Sequence, residues 1–217
     1  LRAGRFDAAA RHLQGIWTDV PAPSPGFQSH RHALEAVALR LAGDPRASQK
    51  ANAATAFASA QGARPWLALA TLAATAGTSD FSFAIVSMTA ECRFVLTMGA
   101  ELLARNLGAL DEAAASVIAE VAATAPERWR PALRVEISQK NPSRLAAARL
   151  LDEIGDASDI LRLRAVAREP RQSTSDRLLG RRLARRLAHQ AHVADLGRVS
   201  ISIGGTVVGT GDIRRKV

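Results

Sequence analysis

Glycine followed closely by aspartate recurs in this chain every 31 to 47 residues, and this pattern limits the fold more than any other feature. Between these points the sequence consists mostly of alanine, leucine and arginine, which are strong helix formers. Glycine ends a helix because it readily adopts the left-handed conformation, and aspartate begins one by accepting hydrogen bonds from free N–H groups. The positions are Gly4, Gly43, Gly77, Gly108 and Gly155, each followed closely by Asp7, Asp44, Asp80, Asp111, or the pair Asp156 and Asp159. Such intervals are typical of stacked helical pairs.

Three stretches resemble known helical repeats. The segments AGRFDAAARHL (residues 3–13) and LGALDEAAASVI (residues 107–118) resemble the inter-helix turn and second helix of tetratricopeptide repeats. In that motif a small alanine lets neighbouring helices approach closely. The segment LAAARLLDEIGDASDILRLRAV (residues 145–166) also suits HEAT-like helical pairs, so both repeat types stay open.

From these patterns we predict an all-α fold: stacked antiparallel helical pairs in a superhelix of the tetratricopeptide or HEAT type, with a short C-terminal β-hairpin. The proline-rich segment 18–26 is expected to be extended, because each proline removes a backbone donor and restricts the residue before it. The helices are predicted at residues 6–15, 28–42, 46–61, 65–76, 82–105, 111–124, 127–139, 143–154, 158–168 and 176–189.

The polar segment REPRQSTS (residues 168–175) is the best candidate for a domain boundary, because it contains proline and lacks apolar periodicity. We expect a helical-repeat domain at residues 1–170, a basic amphipathic helix or linker at 171–192, and a further domain that opens with a hairpin at 193–217. Residues 171–217 contain ten basic and three acidic residues and so carry most of the formal charge of +9. The basic end therefore favours polyanions through counterion release.

The C-terminal segment has the sequence pattern of a β-hairpin. Apolar and polar residues alternate from Val199 to Ile203, which is the period of a strand. The pair Gly204-Gly205 is a two-residue turn signal, and Thr206 begins a return strand. Because an isolated hairpin is marginally stable, we expect these strands to belong to a larger domain.

The order LGRVSISIGGTVVGTGDIRRKV (residues 196–217) resembles the opening of the winged-helix domain in the Streptomyces-type antibiotic regulatory protein (SARP) family. The matching residues are Leu196, Gly197, Val199, Ile201, Gly205, Val208, Arg214, Arg215 and Lys216. Large members of that family carry helical-repeat regions beside the winged helix. The resemblance implies a transcriptional regulator that binds DNA, and it implies that this chain is a fragment without the recognition helix.

A basic amphipathic pattern precedes the hairpin. Leucines recur at four-residue spacing from Leu179 to Leu187, with arginines mainly on the opposite side. This stretch is interpreted as a helix that contacts phosphates or a partner, as a solvated face of a packing helix, or, less favoured, as a membrane anchor. The candidate nucleic-acid or partner contacts are Arg177, Arg181, Arg182, Arg185, Arg186, Arg214, Arg215 and Lys216.

The sequence offers no constellation for catalysis, so we predict that the protein is not an enzyme and needs no cofactor. His30 and His32 are two residues apart on a predicted helix, where their side chains diverge, and no ligand-type residue lies nearby at metal spacing. No metal site is predicted. Cys92 is expected to be a core thiol, and the tryptophans Trp17, Trp66 and Trp129 to be packing anchors.

Three functions remain after these exclusions. One is a helical enzyme domain or a pocket for a cyclic nucleotide or a lipid, which requires a deep buried cavity. The other two are favoured. The first is a helical-repeat regulatory or protein-interaction segment of a multidomain, cytoplasmic, DNA-binding transcriptional regulator. Its partner would be a protein or another domain of the same chain, with DNA bound through the full-length protein and no membrane partner. The second is a free-standing scaffold or adaptor without a DNA role, which explains the helical part equally well but not the C-terminal segment. Homodimerisation is left open by the sequence.

Overall fold

The computed structural model describes residues 6–15, 24–168, 191–195, 199–203 and 206–208. The chain divides into two compact units, Leu1–Asp159 and Ile160–Val217. The described part of the first unit is helical, which confirms the prediction of a mainly α fold.

The first unit contains ten α-helices within its described residues. They are α1 (Phe6–Gly15), α2 (Pro25–Ala42), α3 (Ala47–Ala60), α4 (Arg64–Thr75), α5 (Asp80–Val86), α6 (Phe94–Met98), α7 (Ala100–Asn106), α8 (Glu112–Thr124), α9 (Pro126–Ser138) and α10 (Arg144–Ile154). Short 3-10 turns lie at Ala90–Cys92, Leu107–Ala109 and Ala157–Asp159. Consecutive helices pack on one another in most of the unit, as α2 does on α3 and α9 on α10.

The glycines and aspartates predicted at the helix ends act in two different ways. Gly43 and Gly77 have φ angles of 70° and 83°, so glycine supplies the left-handed conformation there as predicted. Asp111 caps α8 by accepting a 2.8 Å hydrogen bond from the backbone N–H of Ala114. The left-handed interpretation is wrong for Gly108, whose φ is not positive. A Cβ at position 108 would lie 2.6 Å from the Pro142 carbonyl oxygen, so this glycine permits a close backbone approach instead.

Gly155 also lacks a positive φ, so the left-handed interpretation is wrong there too. Its backbone is extended, with φ −67° and ψ 175°, and its N–H donates to the Leu151 carbonyl at the end of α10. The chain leaves the helix in this direction because the next turn is shaped by Asp156 and Asp159, whose carboxylates accept backbone hydrogen bonds from Ser158 and Asp156.

The single helix predicted at residues 82–105 is wrong, because three α-helices and a 3-10 turn occupy that stretch. The chain bends by 106° between α5 and the segment Ala90–Met98. Ser87 and Thr89 lie in the bend, where hydroxyl and β-branched residues favour non-helical backbone. Gly99 separates α6 from α7, and a Cβ there would contact Leu69 of α4. Both α5 and α6 pack against α4 and α8, whereas α7 packs against α2 and α9.

Alanine forms much of the interior of the first unit. Eighteen of the 42 buried hydrophobic residues of the described chain are alanines, so many helices approach with little more than a methyl group between them. On α3 the buried residues are all alanine: Ala47, Ala51, Ala54 and Ala58. The larger fully buried side chains lie on several helices and include Leu72 on α4, Trp129 on α9 and Leu151 on α10.

Arg134 on α9 is hydrogen-bonded to the turn that follows α10. Arg134 donates from Nε to Oδ1 of Asp159 at 2.7 Å and from Nη2 to Oδ2 of Asp156 at 2.8 Å. The Asp159 side chain is fully buried, whereas Arg134 is 28% exposed. The hydrogen bond from Arg134 lowers the pKa of Asp159, and the hydrogen bonds from Ser158 lower the pKa of Asp156 to about 2. Both carboxylates are therefore held in the charged form.

The second unit contains α11 (Ile160–Arg168) and three strands, β1 (Ala191–Asp195), β2 (Val199–Ile203) and β3 (Thr206–Val208). The strands form an antiparallel sheet in the order β1-β2-β3. Ile203 of β2 lies opposite Thr206 of β3, and Ala191 of β1 lies opposite Ile203. The sequence pattern indicated β2 and β3 but did not indicate β1. The helix predicted at 176–189 lies outside the described residues.

Within the described ranges, no single helix has both the length and the apolar composition needed to span a membrane. The bent pair formed by α5 and the segment Ala90–Met98 meets that test only when its two parts are counted together.

Candidate functional site

The basic residues predicted to contact nucleic acid or a partner lie outside the described part of the chain. They occupy positions 177, 181, 182, 185, 186, 214, 215 and 216. The structure therefore neither brings them together nor separates them, and their role stays a prediction.

A cleft on the first unit is the strongest candidate site among the described residues. Its volume is about 930 Å³, which lies within the range of small-molecule and peptide pockets. One wall comes from α6 and α7, and the facing wall comes from α8 and the start of α9. Leu34 of α2 also lines the cleft. Five helices thus contribute, although their residues are far apart in the sequence.

The first wall is a stripe of four side chains at helical spacing. Phe94, Thr97, Met98 and Glu101 recur at i, i+3, i+4 and i+7, so they share one face although Gly99 interrupts the helix. Phe94 is 50% exposed, which is a large exposed fraction for an aromatic side chain. This wall offers an apolar surface that ends in a carboxylate.

The second wall carries charge above an apolar base. Val121 is buried, whereas Glu120 and Glu127 are exposed. Arg93, just before α6, donates from Nη1 to Glu120 at 3.4 Å and so links the two walls. Arg128 lies 4.0 Å from Glu127, its neighbour in the sequence. Each arginine of the cleft therefore has a carboxylate within ion-pair distance.

A row of aromatic rings supports Phe94 from behind. The Phe94 ring meets the edge of Trp66 on α4, with ring centroids 6.4 Å apart and planes at 87°. Trp66 in turn stacks on His30 of α2 at 4.1 Å, and His30 contacts Phe27 edge-on. Burial lowers the pKa of His30, so its ring is neutral at neutral pH and stacks without the desolvation cost of a cation. These contacts fix the position of Phe94, since three helices hold the row.

Glu101 differs from the other charged residues of the cleft. Within the described residues it makes no hydrogen bond or ion pair, although its side chain is partly buried. The cleft contains three carboxylates, from Glu101, Glu120 and Glu127, and two guanidinium groups, from Arg93 and Arg128. Since both arginines have a carboxylate partner, Glu101 leaves an uncompensated negative charge.

Most of the other residues singled out from the sequence are buried or contact neighbouring rings. His30 stacks on Trp66 and His32 contacts Phe57 of α3 edge-on, so the two rings diverge as predicted. Cys92 is buried, in the 3-10 turn before α6. Trp129 is fully buried and Trp66 partly buried, whereas Trp17 lies outside the described residues. In the described chain no group of three histidine, cysteine, aspartate or glutamate side chains is arranged to hold a metal ion.

The cleft was not predicted from the sequence, although the residues of one wall have a recognisable helical spacing. The spacing of Phe94, Thr97, Met98 and Glu101 marks one helix face, but only the structure shows that this face is exposed. Comparison of the chain with protein-family models, with curated proteins and with solved structures found no match.

Proposed function

We propose that the chain is the regulatory, protein-interaction part of a multidomain transcriptional regulator that resembles the SARP family. In this proposal the cleft of the first unit binds a segment of a partner protein. The observation that carries the proposal is the half-exposed Phe94, which lines a cleft between helices and packs on the Trp66 ring.

The construction of the cleft supports peptide binding. Grooves between helices bind amphipathic peptides by accepting large apolar side chains at helical spacing, and an aromatic residue supported by packing is a typical interaction anchor. Phe94 and Met98 offer such an apolar surface, and the ion pair of Arg93 with Glu120 lies at its edge. The described lining contains threonine and glutamate but no serine, cysteine, histidine or lysine.

The C-terminal segment supports the link to transcription. Its sequence resembles the start of a winged-helix domain, in which two antiparallel strands precede the first helix. Strands β2 and β3 pair antiparallel and only two residues separate them in the sequence. The basic residues of this segment add a general attraction for nucleic acid. The stacked-repeat arrangement belongs to the same proposal and is supported by the packing of α2 on both α3 and α4.

The interaction role is tested by selecting peptides from a random display library on the whole chain and measuring their affinity for two variants. We expect Phe94→Ser to weaken the selected peptides by about tenfold or more, because a central aromatic anchor is lost. The matched control is Phe83→Ser, since Phe83 is 74% exposed on α5 and does not line the cleft. Equal effects of both variants, or no effect of either, contradict the role of the cleft.

The transcriptional role is tested separately by reading the coding sequence beyond Val217. A continuation that encodes a helix–turn–helix segment and a wing supports the regulator. A stop codon directly after Val217 contradicts it and favours a free-standing adaptor.

A further inference from the structure

We propose that the peptide bound in the cleft is a cationic amphipathic segment of a partner protein, with a large apolar side chain on Phe94 and a lysine or arginine at Glu101. This inference rests on the proposed interaction role and adds the chemistry of the partner.

The first argument is charge complementarity. Arg93 has Glu120 at 3.4 Å and Arg128 has Glu127 at 4.0 Å, so both cations of the described lining already have a carboxylate within ion-pair distance. Glu101 has no partner among the described residues. A carboxylate in a partly enclosed site gains more from a cation than it does in open water, because the surrounding protein lowers the effective dielectric constant. The cleft therefore selects a basic side chain at this position.

The second argument is the position of Glu101 relative to the apolar anchor. Phe94 on α6 and Glu101 on α7 are seven residues apart and line the same cleft, a spacing that would be about 10 Å along one continuous helix. Met98 lies between them and continues the apolar surface. A helical peptide matches this stripe when a large apolar residue and a lysine or arginine are themselves two turns apart. A basic amphipathic helix has this pattern, whereas an evenly charged or purely apolar segment lacks it.

The test uses two fluorescein-labelled peptides of about 15 residues with the same leucine and phenylalanine positions. One has arginine and the other glutamate at the polar position two turns from the anchor. Binding to the whole chain is measured by fluorescence polarisation for the unmodified protein, Glu101→Gln and Glu112→Gln. The two variants change the net charge equally, and Glu112 is exposed in the first turn of α8 and does not line the cleft. Comparing them separates a local contact from general attraction.

We expect Glu101→Gln to weaken the arginine peptide by about tenfold and to leave the glutamate peptide unchanged or slightly stronger. Glu112→Gln should change neither peptide. Equal changes in the two variants, or unchanged binding of the arginine peptide to Glu101→Gln, overturn the inference of a cationic partner.

A separate result tests the interaction role itself. If both peptides bind the unmodified protein and Phe94→Ser weakens both, the cleft is a peptide site whatever the effect at Glu101. If neither peptide depends on Phe94, the proposed interaction role fails and the cationic partner fails with it. The far-UV circular dichroism of each variant is recorded to show that the helices are retained.

Discussion

The link between Arg134 and Asp159 is expected to be one of the most sensitive points in the first unit. Replacing Arg134 with methionine keeps a long side chain but removes the two hydrogen bonds that Arg134 donates to the fully buried Asp159 carboxylate. Removing one partner of a buried ion pair costs about 3–5 kcal/mol, because the remaining charge stays desolvated. Since Arg134 is 28% exposed, we expect the lower end of this range, about 3 kcal/mol.

This loss is measured by urea denaturation followed by circular dichroism. With a slope of about 2 kcal/mol per molar urea, a loss of 3 kcal/mol lowers the midpoint by about 1.5 M. Asp156→Asn is the control, because Asp156 is largely exposed and its removal leaves the two hydrogen bonds from Arg134 to Asp159 in place. Its midpoint should shift much less.

The sign of the pH dependence gives a second measurement. Arg134 lowers the pKa of Asp159 in the folded protein, so the stabilisation is present above the unfolded value of about 4 and is lost as the pH falls through the folded pKa. The difference between unmodified protein and Arg134→Met should therefore be largest near neutral pH and shrink below about pH 4. A loss smaller than about 1 kcal/mol at pH 7, or a difference that grows on acidification, would refute the reasoning.

Three further changes have defined expectations. Gly108→Ala should cost about 1–3 kcal/mol in urea denaturation, because the new Cβ meets the Pro142 backbone, whereas Gly26→Ala has open space and should be neutral or stabilising. Asp111→Ala should remove the cap of α8 and cost about 1 kcal/mol in the same assay, and retained stability would contradict the cap. In fluorescence anisotropy, we expect weak duplex DNA binding that falls steeply with salt and lacks sequence preference. This binding should be abolished when four arginines are replaced with glutamine, namely Arg181, Arg182, Arg185 and Arg186. Salt-insensitive, sequence-selective binding would contradict this expectation.

The bounds of most helices could be predicted because they depend on the backbone preferences of nearby residues. The predicted bounds 6–15 match α1, and those of α3, α4 and α8 to α10 differ by one residue or less at each end. Glycine and proline place most of these bounds, since their backbone preferences do not depend on distant residues. Gly43 and Gly77 are examples of such a local cause.

Other features depend on tertiary contacts and so could not be predicted from the sequence. Gly108 is required by Pro142, which follows 34 residues later, and no local pattern contains that information. The bend near Ser87 was missed because Ser87 and Thr89 are a weak local signal within a stretch that is otherwise rich in apolar residues. The cleft combines Leu34, Phe94 and Glu120, whose proximity is a product of the fold.

The alanine-rich packing of α3 means that the first unit does not hold together equally throughout. Each buried alanine removes less apolar area from water than a leucine and stabilises the fold by roughly 2 kcal/mol less. The buried residues of α3 are all alanine, whereas α10 buries Leu150, Leu151 and Ile154. In native-state hydrogen exchange, the amides of α3 should therefore open at lower free energy than those of α10. The cleft borders the alanine-rich region, because α2, which packs on α3, supplies Leu34 to its lining.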